Sequence, residues 1–207
     1  IMLNRMGEMP RAVGYLRRLA RLEPNDPALL SMLGETLNDT FAYHEARPVL
    51  ERVLRLDPND SDAYAQLGIS WTNDASAPDH LQQAERALRR ATTLNPLNAE
   101  ARLALGRLYL RENQPRAAVS QLEEAGRLMP QNSRPPFELA NAYNLVGQPA
   151  KAAVMRARFL SLRQTSMRVS ALQKRTVVSP GNFDYPYELG TIELRRGDYR
   201  KATIWLT

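Results

Sequence analysis

The sequence of 207 residues contains no cysteine and only two histidines, His44 and His80. The lack of cysteine excludes disulfides, thiolate metal ligands and cysteine nucleophiles. The two histidines stand in separate segments without a zinc-binding spacing, so the sequence indicates no metal site. No apolar stretch approaches about eighteen residues, so no segment has the length of a membrane-spanning helix. Nucleotide-binding glycine motifs and a serine-nucleophile motif are also missing, and we therefore expect neither a cofactor nor a catalytic site.

Acidic residues are scarce in the last quarter of the chain, which holds the whole excess of positive charge. Residues 1–150 carry 17 basic and 18 acidic residues, whereas residues 151–207 carry 11 basic and 4 acidic residues. The 25 arginines greatly outnumber the 3 lysines, a usage typical of a GC-rich, bacterial coding sequence. The sequence opens at Ile1 and ends inside a helical pattern, so we expect it to be part of a longer protein. Its compartment, cytoplasm or periplasm, is not indicated.

What the sequence does contain is a repeating arrangement of prolines. The motifs are LEPND (Pro24), LDPND (Pro58), LNPLN (Pro96) and LMPQN (Pro130), at spacings of 34, 38 and 34, and VSPGN (Pro180) follows at a spacing of 50. Proline with a following asparagine or aspartate ends one helix and caps the next. Because a fixed period of this size is the signature of repeat architectures, we interpret each interval as one structural unit.

Each unit contains two amphipathic helical patterns with small residues at fixed places. In the first helices a leucine precedes a small residue, at Leu33-Gly34, Leu67-Gly68, Leu105-Gly106, Leu139-Ala140 and Leu189-Gly190. In the second helices an alanine is followed four residues later by leucine, at Ala12, Ala46, Ala84, Ala118 and Ala202. The exception is Ala152, which is followed by Arg156. Small residues let paired helices approach closely, and such pairs must stack to bury their apolar faces.

This pattern resembles the tetratricopeptide repeat family, whose repeats of 34 residues carry a leucine-glycine pair in the first helix and an alanine in the second. The resemblance implies an all-α fold, a right-handed superhelical solenoid of antiparallel helix pairs with about eleven helices in a single array. We place a half repeat at 8–26, full repeats at 27–60, 61–98, 99–132 and 133–182, and an incomplete repeat at 183–207.

In that family the first helices line a concave groove that binds a partner peptide or protein. Register with the leucine-glycine pairs assigns to this groove Glu35, Asn38, Asn73, Leu103, Arg107, Arg111, Phe137, Asn141, Asn144, Tyr187 and Arg195. The arginines can hold carboxylates and the aromatic rings can anchor a partner. Alternatively, the arginines are a solvated helix face and the rings pack between helices. The lysines of the family's carboxylate clamp for chaperone tails are missing, so we do not expect that ligand.

The segment RARFLSLRQTSMRVSALQKRTVV, residues 156–178, departs from the repeat pattern. No glycine or proline occurs between Lys151 and Ser179, so we expect the second helix of this repeat to continue to about residue 175. The cations on this basic helix are Arg156, Arg163, Arg168, Lys174 and Arg175. Three interpretations remain open: a longer solvated packing helix, a docking surface for an acidic protein or another subunit, or a contact with phosphate or a membrane surface. Phe159 is the only aromatic residue nearby, which disfavours specific nucleic-acid binding.

The sequence thus favours a non-catalytic scaffold for protein–protein interaction whose partner has acidic character. One alternative is the substrate-recruiting arm of an enzyme whose catalytic domain lies outside these residues. Another is a self-assembly module, because the end of a repeat array exposes an apolar face. We expect no specific nucleic acid as a partner and no stable membrane contact.

Overall fold

The computed structural model describes the backbone of residues 2–179 and 181–206 and the side chains of residues 10–179 and 181–206. Ile1, Pro180 and Thr207 lie outside the described residues, and with them the proline of the VSPGN motif. Eleven helices and no strands occupy the described part of the chain, which confirms the all-α fold predicted from the repeats. The helices are α1 (Met2–Leu22), α2 (Pro27–Asp39), α3 (Tyr43–Leu56), α4 (Ser61–Asn73), α5 (His80–Leu94), α6 (Ala99–Arg111), α7 (Pro115–Leu128), α8 (Arg134–Leu145), α9 (Pro149–Val178), α10 (Asp184–Arg195) and α11 (Tyr199–Leu206).

The chain packs as two compact units, Ile1–Leu128 and Met129–Thr207. In the first unit, α2 pairs with α3, α4 with α5, and α6 with α7, and the first helices α2, α4 and α6 also contact one another in sequence. In the second unit, α8 and α10 each pack against α9, and α10 pairs with α11. The repeat boundaries given above remain an interpretation of the sequence.

The polar residue two positions after a repeat proline caps the next helix in the first unit. Asp26 accepts hydrogen bonds from the backbone amides of residues 28 and 29 at 2.9 and 3.2 Å. Asp60 does the same for residues 62 and 63 at 2.9 and 2.8 Å, and Asn98 accepts from residue 101 at 2.9 Å. These side chains satisfy amides that have no partner within the helix. The PND and PLN motifs therefore set where α2, α4 and α6 begin.

Each glycine of a leucine-glycine pair lies against the leucine of the second helix. A Cβ atom added to Gly34, Gly68, Gly106 or Gly190 would lie within 2.4–2.5 Å of a side-chain carbon of Leu50, Leu88, Leu122 or Leu206, respectively. The sequence pattern of small residue and leucine is thus a pattern of direct contact. The only first helix in this set with alanine at the equivalent position is α8, and its partner helix carries Arg156 in place of leucine.

Helix α9 is 30 residues long and extends to Val178, three residues beyond the predicted end. Its first half packs against α8, where the rings of Phe137 and Phe159 lie 5.1 Å apart. Its second half packs against α10, where Val169 and Leu172 form a buried cluster with Leu189. The extra length of α9 therefore provides a separate docking site for the last helix pair.

Candidate functional site

The groove residues predicted for the first unit lie on α2, α4 and α6, and they differ in exposure. Glu35 and Arg111 are exposed, whereas Asn73 and Arg107 are half-buried. Asn38 and Leu103 are buried, with 6% and 2% of their surfaces exposed. The side chains of Asn38 and Leu103 therefore offer no surface to a partner, although their register on the helix is the one expected.

Asn38 uses its amide to join two neighbouring first helices. Its Nδ2 donates to the backbone carbonyl and to the Oε1 of Gln66, both at 2.9 Å. Its Oδ1 accepts a hydrogen bond of 2.6 Å from the hydroxyl of Ser70, which is itself fully buried. A buried amide needs such partners because an unsatisfied polar group inside a protein is destabilising. Asn38 therefore links α2 to α4 rather than projecting into the groove.

Arg111 makes a similar link between α6 and α4, but at the surface. Its guanidinium donates to the backbone carbonyl of Thr72 and to the Oδ1 of Asn73, the latter at 3.1 Å. Asn73 is in turn held by a hydrogen bond of 2.8 Å from its Nδ2 to the carbonyl of Ile69. Both side chains are fixed in orientation before any partner arrives.

Two arginines of α6 act electrostatically on Tyr43 at the start of α3. Burial raises the pKa of Tyr43, while the charges of Arg107 and Arg111 partly offset that rise. Asp39 raises the pKa of the same phenol. Tyr43 is half-buried and was not among the predicted groove residues, because the repeat pattern assigns groove positions to first helices only.

A buried ion pair that the sequence analysis did not identify joins α3 to the end of α4. Arg47 donates to a carboxylate oxygen of Asp74 at 2.6 Å, and the two side chains are 9% and 17% exposed. The Arg47 guanidinium also lies 4.0 Å from the centre of the Trp71 ring, a cation–π contact. Hydrogen bonds from Ser76, and then the charge of Arg47, lower the pKa of Asp74. The contact is internal, so we assign it to stability.

In the second unit, the predicted groove residues occupy exposed positions on two helices. Phe137, Asn141 and Asn144 on α8 are exposed, and Phe137 retains 54% of its surface despite its contact with Phe159. Tyr187 on α10 is 66% exposed. Helices α8 and α10 do not pack against each other in the described residues, so these residues form two surfaces rather than one row.

Arg195 lies at a cleft on the middle of α9. The cleft has a volume of about 290 Å³ and is lined by Gln131, Ser161, Leu162, Thr165, Ile192, Arg195 and Arg196. Arg196 is held there, since its Nη1 donates to Glu193 at 3.1 Å and its backbone carbonyl accepts from Gln131 at 3.0 Å. Arg195 has no ion-pair partner among the residues that the structure describes.

The five cations predicted on the basic helix are all exposed on α9. Arg168 forms two hydrogen bonds with Glu188 of α10, at 2.7 and 2.8 Å. Arg163 lies 5.6 Å from the centre of the Phe159 ring, and Arg175 lies 5.8 Å from that of Tyr185. Arg156 and Lys174 have no such partner within the described part of the chain.

Glu193 is a second polar residue that the sequence analysis did not identify. It is 3% exposed, and its Oε2 has no hydrogen-bond partner among the described residues. Counting from the leucine-glycine or leucine-alanine pair, it occupies the position that the other first helices fill with Leu37, Trp71, Tyr109 and Tyr143. An acidic residue at this apolar position is visible in the alignment of the repeats and could have been found there.

The described residues bring together no group of three or more histidine, cysteine, aspartate or glutamate side chains that could hold a metal ion. Among the same residues, no helix is both long and apolar enough to cross a membrane.

Comparison with known families and structures identifies the repeats. Residues 5–61 and 74–133 match the tetratricopeptide repeat family. A comparison with curated protein sequences gives no significant match. The structure of TTC0263, described as a thermophilic TPR protein in Thermus thermophilus, is 20% identical with a TM-score of 0.66, covering 93% of this chain and 94% of that one.

Structures of MamA are also similar. One has a TM-score of 0.63 at 24% identity, covering 80% of this chain and 94% of that chain. MamA 41-end from Desulfovibrio magneticus RS-1 has a TM-score of 0.62 at 25% identity, covering 78% and 89% of the two chains. Repeat proteins of this kind generally serve as non-catalytic scaffolds, so family and fold support a role in protein–protein interaction. With more than half of its length matched by the family's repeats, the chain belongs to the tetratricopeptide repeat family.

Proposed function

We propose that the chain is a non-catalytic scaffold that binds a partner peptide or protein along its first helices. The observation that carries this proposal is the row of adjoining helices α2, α4 and α6, which presents Glu35, Arg107 and Arg111 with exposed or half-exposed side chains. Hydrogen bonds between these helices, such as those of Arg111, fix the row in advance. A preformed surface loses little conformational entropy when it binds.

The chemistry of the row favours a partner with acidic groups near Arg107 and Arg111. A guanidinium can hold a carboxylate through two parallel hydrogen bonds, which gives direction as well as attraction. Glu35 lies on α2, so a partner with a basic residue towards that helix would match the charges. The binding surface is expected to exclude Asn38 and Leu103, whose side chains are buried.

In the second unit, we propose that α8 and α10 offer additional contacts. Asn141 and Asn144 are exposed on α8 and can both donate to and accept from a peptide backbone. Phe137 and Tyr187 are exposed aromatic residues of the type that dominates interface energies. Arg195 supports binding of a carboxylate at the cleft on α9.

Affinity capture from cells of the source organism tests this proposal, with the 207-residue chain as bait. Arg107→Glu reverses a charge on the row, and Arg116→Glu reverses an exposed charge on α7, outside it. A protein that is captured by the wild type and by the Arg116 variant, but lost with Arg107→Glu, would support binding along the first helices. Asn141→Ala tests α8 in the same way. Equal recovery with every bait would contradict the proposal.

A further inference from the structure

Helix α9 carries a second apolar surface on the side that faces away from α8 and α10. At 100° per residue, Ala153, Ala157, Leu160, Met167, Ala171 and Val178 fall within one narrow arc opposite Val169. Their spacings of three, four and seven residues are those of a coiled-coil seam. The two remaining seam positions are occupied by the polar residues Gln164 and Lys174. We call these six residues the outer stripe.

The outer stripe is exposed along its whole length. Leu160, Met167 and Val178 retain 57%, 67% and 81% of their surfaces, whereas Leu172 on the packed side retains 1%. Single exposed apolar residues are ordinary on protein surfaces. The outer stripe differs from such single residues because it keeps heptad spacing over 26 residues, about 39 Å of helix. Apolar residues in this spacing match the contact surface of another helix.

Cations line both edges of the outer stripe. Arg156 and Arg163 lie along one edge, Arg168 and Arg175 lie along the other, and Lys174 occupies a position within the seam itself. Helix α9 contains seven basic residues and no acidic residue. In paired helices, residues that flank the seam choose the partner by charge. The neighbouring α10 neutralises part of only one edge, through the ion pair between Glu188 and Arg168.

The cations beside the outer stripe distinguish between two helices that could bind there, a second copy of α9 and an acidic helix. A second copy of α9 would place cations against cations in either orientation, which is unfavourable. An acidic helix would pair with both edges while it covers the apolar seam. We propose that the outer stripe binds an amphipathic helix of a partner protein whose own apolar heptad positions are flanked by glutamate and aspartate. Helix α9 is not part of the row on α2, α4 and α6, so this proposal does not rest on the function proposed for that row.

A pair of synthetic peptides tests the proposal with the full 207-residue chain. Both peptides have four heptads with leucine at the seam positions, and they differ only in flanking residues, glutamate in one and lysine in the other. Fluorescence anisotropy of the labelled peptides measures binding, and circular dichroism measures the helix gained on mixing. We expect the acidic peptide to bind at least about tenfold more tightly than the basic peptide, with an affinity that falls as salt is added. Equal binding of the two peptides, or no binding of either, would overturn the proposal.

Variants of exposed residues locate the binding surface without disturbing the core. Leu160→Glu with Met167→Glu places charge in the seam and should weaken binding of the acidic peptide by at least about tenfold, since two apolar contacts are lost. Ser166→Glu with Gln173→Glu is the matched control, because both residues are exposed on α9 with the same spacing of seven residues but lie more than about 130° from the centre of the stripe. We expect it to retain binding.

Two further measurements separate this surface from others. Arg107→Glu should leave the affinity for the acidic peptide unchanged, and a loss there would place the peptide on the first helices instead. Sedimentation of the chain alone tests whether a second copy is the occupant. A dimer that dissociates on Leu160→Glu with Met167→Glu would overturn the proposal in favour of self-association.

Discussion

Replacing Gly68 with alanine should destabilise the first unit, although alanine is the better helix former. A Cβ atom at this position would lie 2.5 Å from the Cγ and 2.7 Å from the Cδ2 of Leu88, and 3.2 Å from the backbone oxygen of Ala84. Leu88 is fully buried, and the Ala84 oxygen belongs to the backbone of α5. Neither neighbour can move away without disturbing its own packing.

The substitution Gly68→Ala improves helix propensity but overpacks the contact with α5, and these two effects differ in size. In a helix interior, alanine is more favourable than glycine by about 1 kcal/mol. Overpacking a well-filled core costs about 1–3 kcal/mol. Because the nearest atom at Gly68 is a branching carbon rather than a mobile side-chain end, we expect the upper part of that range. The net loss should be about 2 kcal/mol, which corresponds to a fall in Tm of about 4–8 °C for a chain of this size.

Urea unfolding followed by circular dichroism provides the measurement, with Ala140→Gly as a matched control. Ala140 occupies the same repeat position, but the residue that replaces leucine in its partner helix is Arg156. Ala140→Gly should lose only about 1 kcal/mol through helix propensity. Combining Gly68→Ala with Leu88→Ala should cost less than the sum of the single changes. If Gly68→Ala is as stable as the wild type or more stable, the interpretation of these glycines as close-packing positions is wrong.

Two further substitutions test buried charges. Arg47→Met should lower the free energy of unfolding at pH 7 by about 2–3 kcal/mol, because it leaves the carboxylate of Asp74 without its ion pair in a largely buried site. Hydrogen bonds from Ser76 lower the pKa of Asp74 most, and the charge of Arg47 adds to that effect. The contribution of the pair is therefore present above the unfolded pKa of about 3.9 and is lost as the pH falls through the folded pKa, so the urea midpoints of variant and wild type should approach each other in acid. Glu193→Leu should raise the stability of the second unit by about 1 kcal/mol, because it removes a buried carboxylate with one unsatisfied oxygen, whereas Arg196, whose side chain is 23% exposed, keeps its contact with Gln131 and remains open to solvent. A decrease in the urea midpoint of that variant would show that the contact with Arg196 outweighs the cost of burial.

The sequence was sufficient to predict the helices because its signals are local. The residues that cap α2, α4 and α6 lie two positions after the prolines that mark each repeat. The contact between Gly68 and Leu88 could be inferred because both belong to the same helix pair, whose register the repeat defines. The long helix α9 followed from the lack of glycine and proline between Lys151 and Ser179.

The candidate site could be predicted only in part, because exposure depends on neighbouring helices. Register alone assigns Asn38 and Glu35 to the same face of α2, yet Asn38 is covered by residues of α4 and Glu35 is not. The pair of Arg47 and Asp74 joins residues 27 positions apart, and no periodicity marks it. The outer stripe was equally hidden, because the sequence of α9 does not show which of its apolar sides the neighbouring helices cover.

Helix α9 departs from the repeat pattern in two ways, in the residue at position 156 and in its length. In the other pairs, a leucine of the second helix fills the space above a glycine of the first. At Arg156 that leucine is absent, and α8 instead contacts α9 through Phe137 and Phe159. Helix α9 is about 45 Å long, whereas α8 and α10 are each about 18 Å, so the two together cannot cover it end to end.

The uncovered middle of α9 contributes Ser161, Leu162 and Thr165 to the cleft beside Arg195. On the opposite side, Leu160 and Met167 of the outer stripe are exposed. A second helix of 14 or 15 residues, as in α3, α5 and α7, would end near residue 163, before Thr165 of the cleft and before Met167, Ala171 and Val178 of the outer stripe. Shortening α9 to the length of the other second helices should therefore remove the acidic peptide's binding site while leaving the packing of α2, α4 and α6 intact.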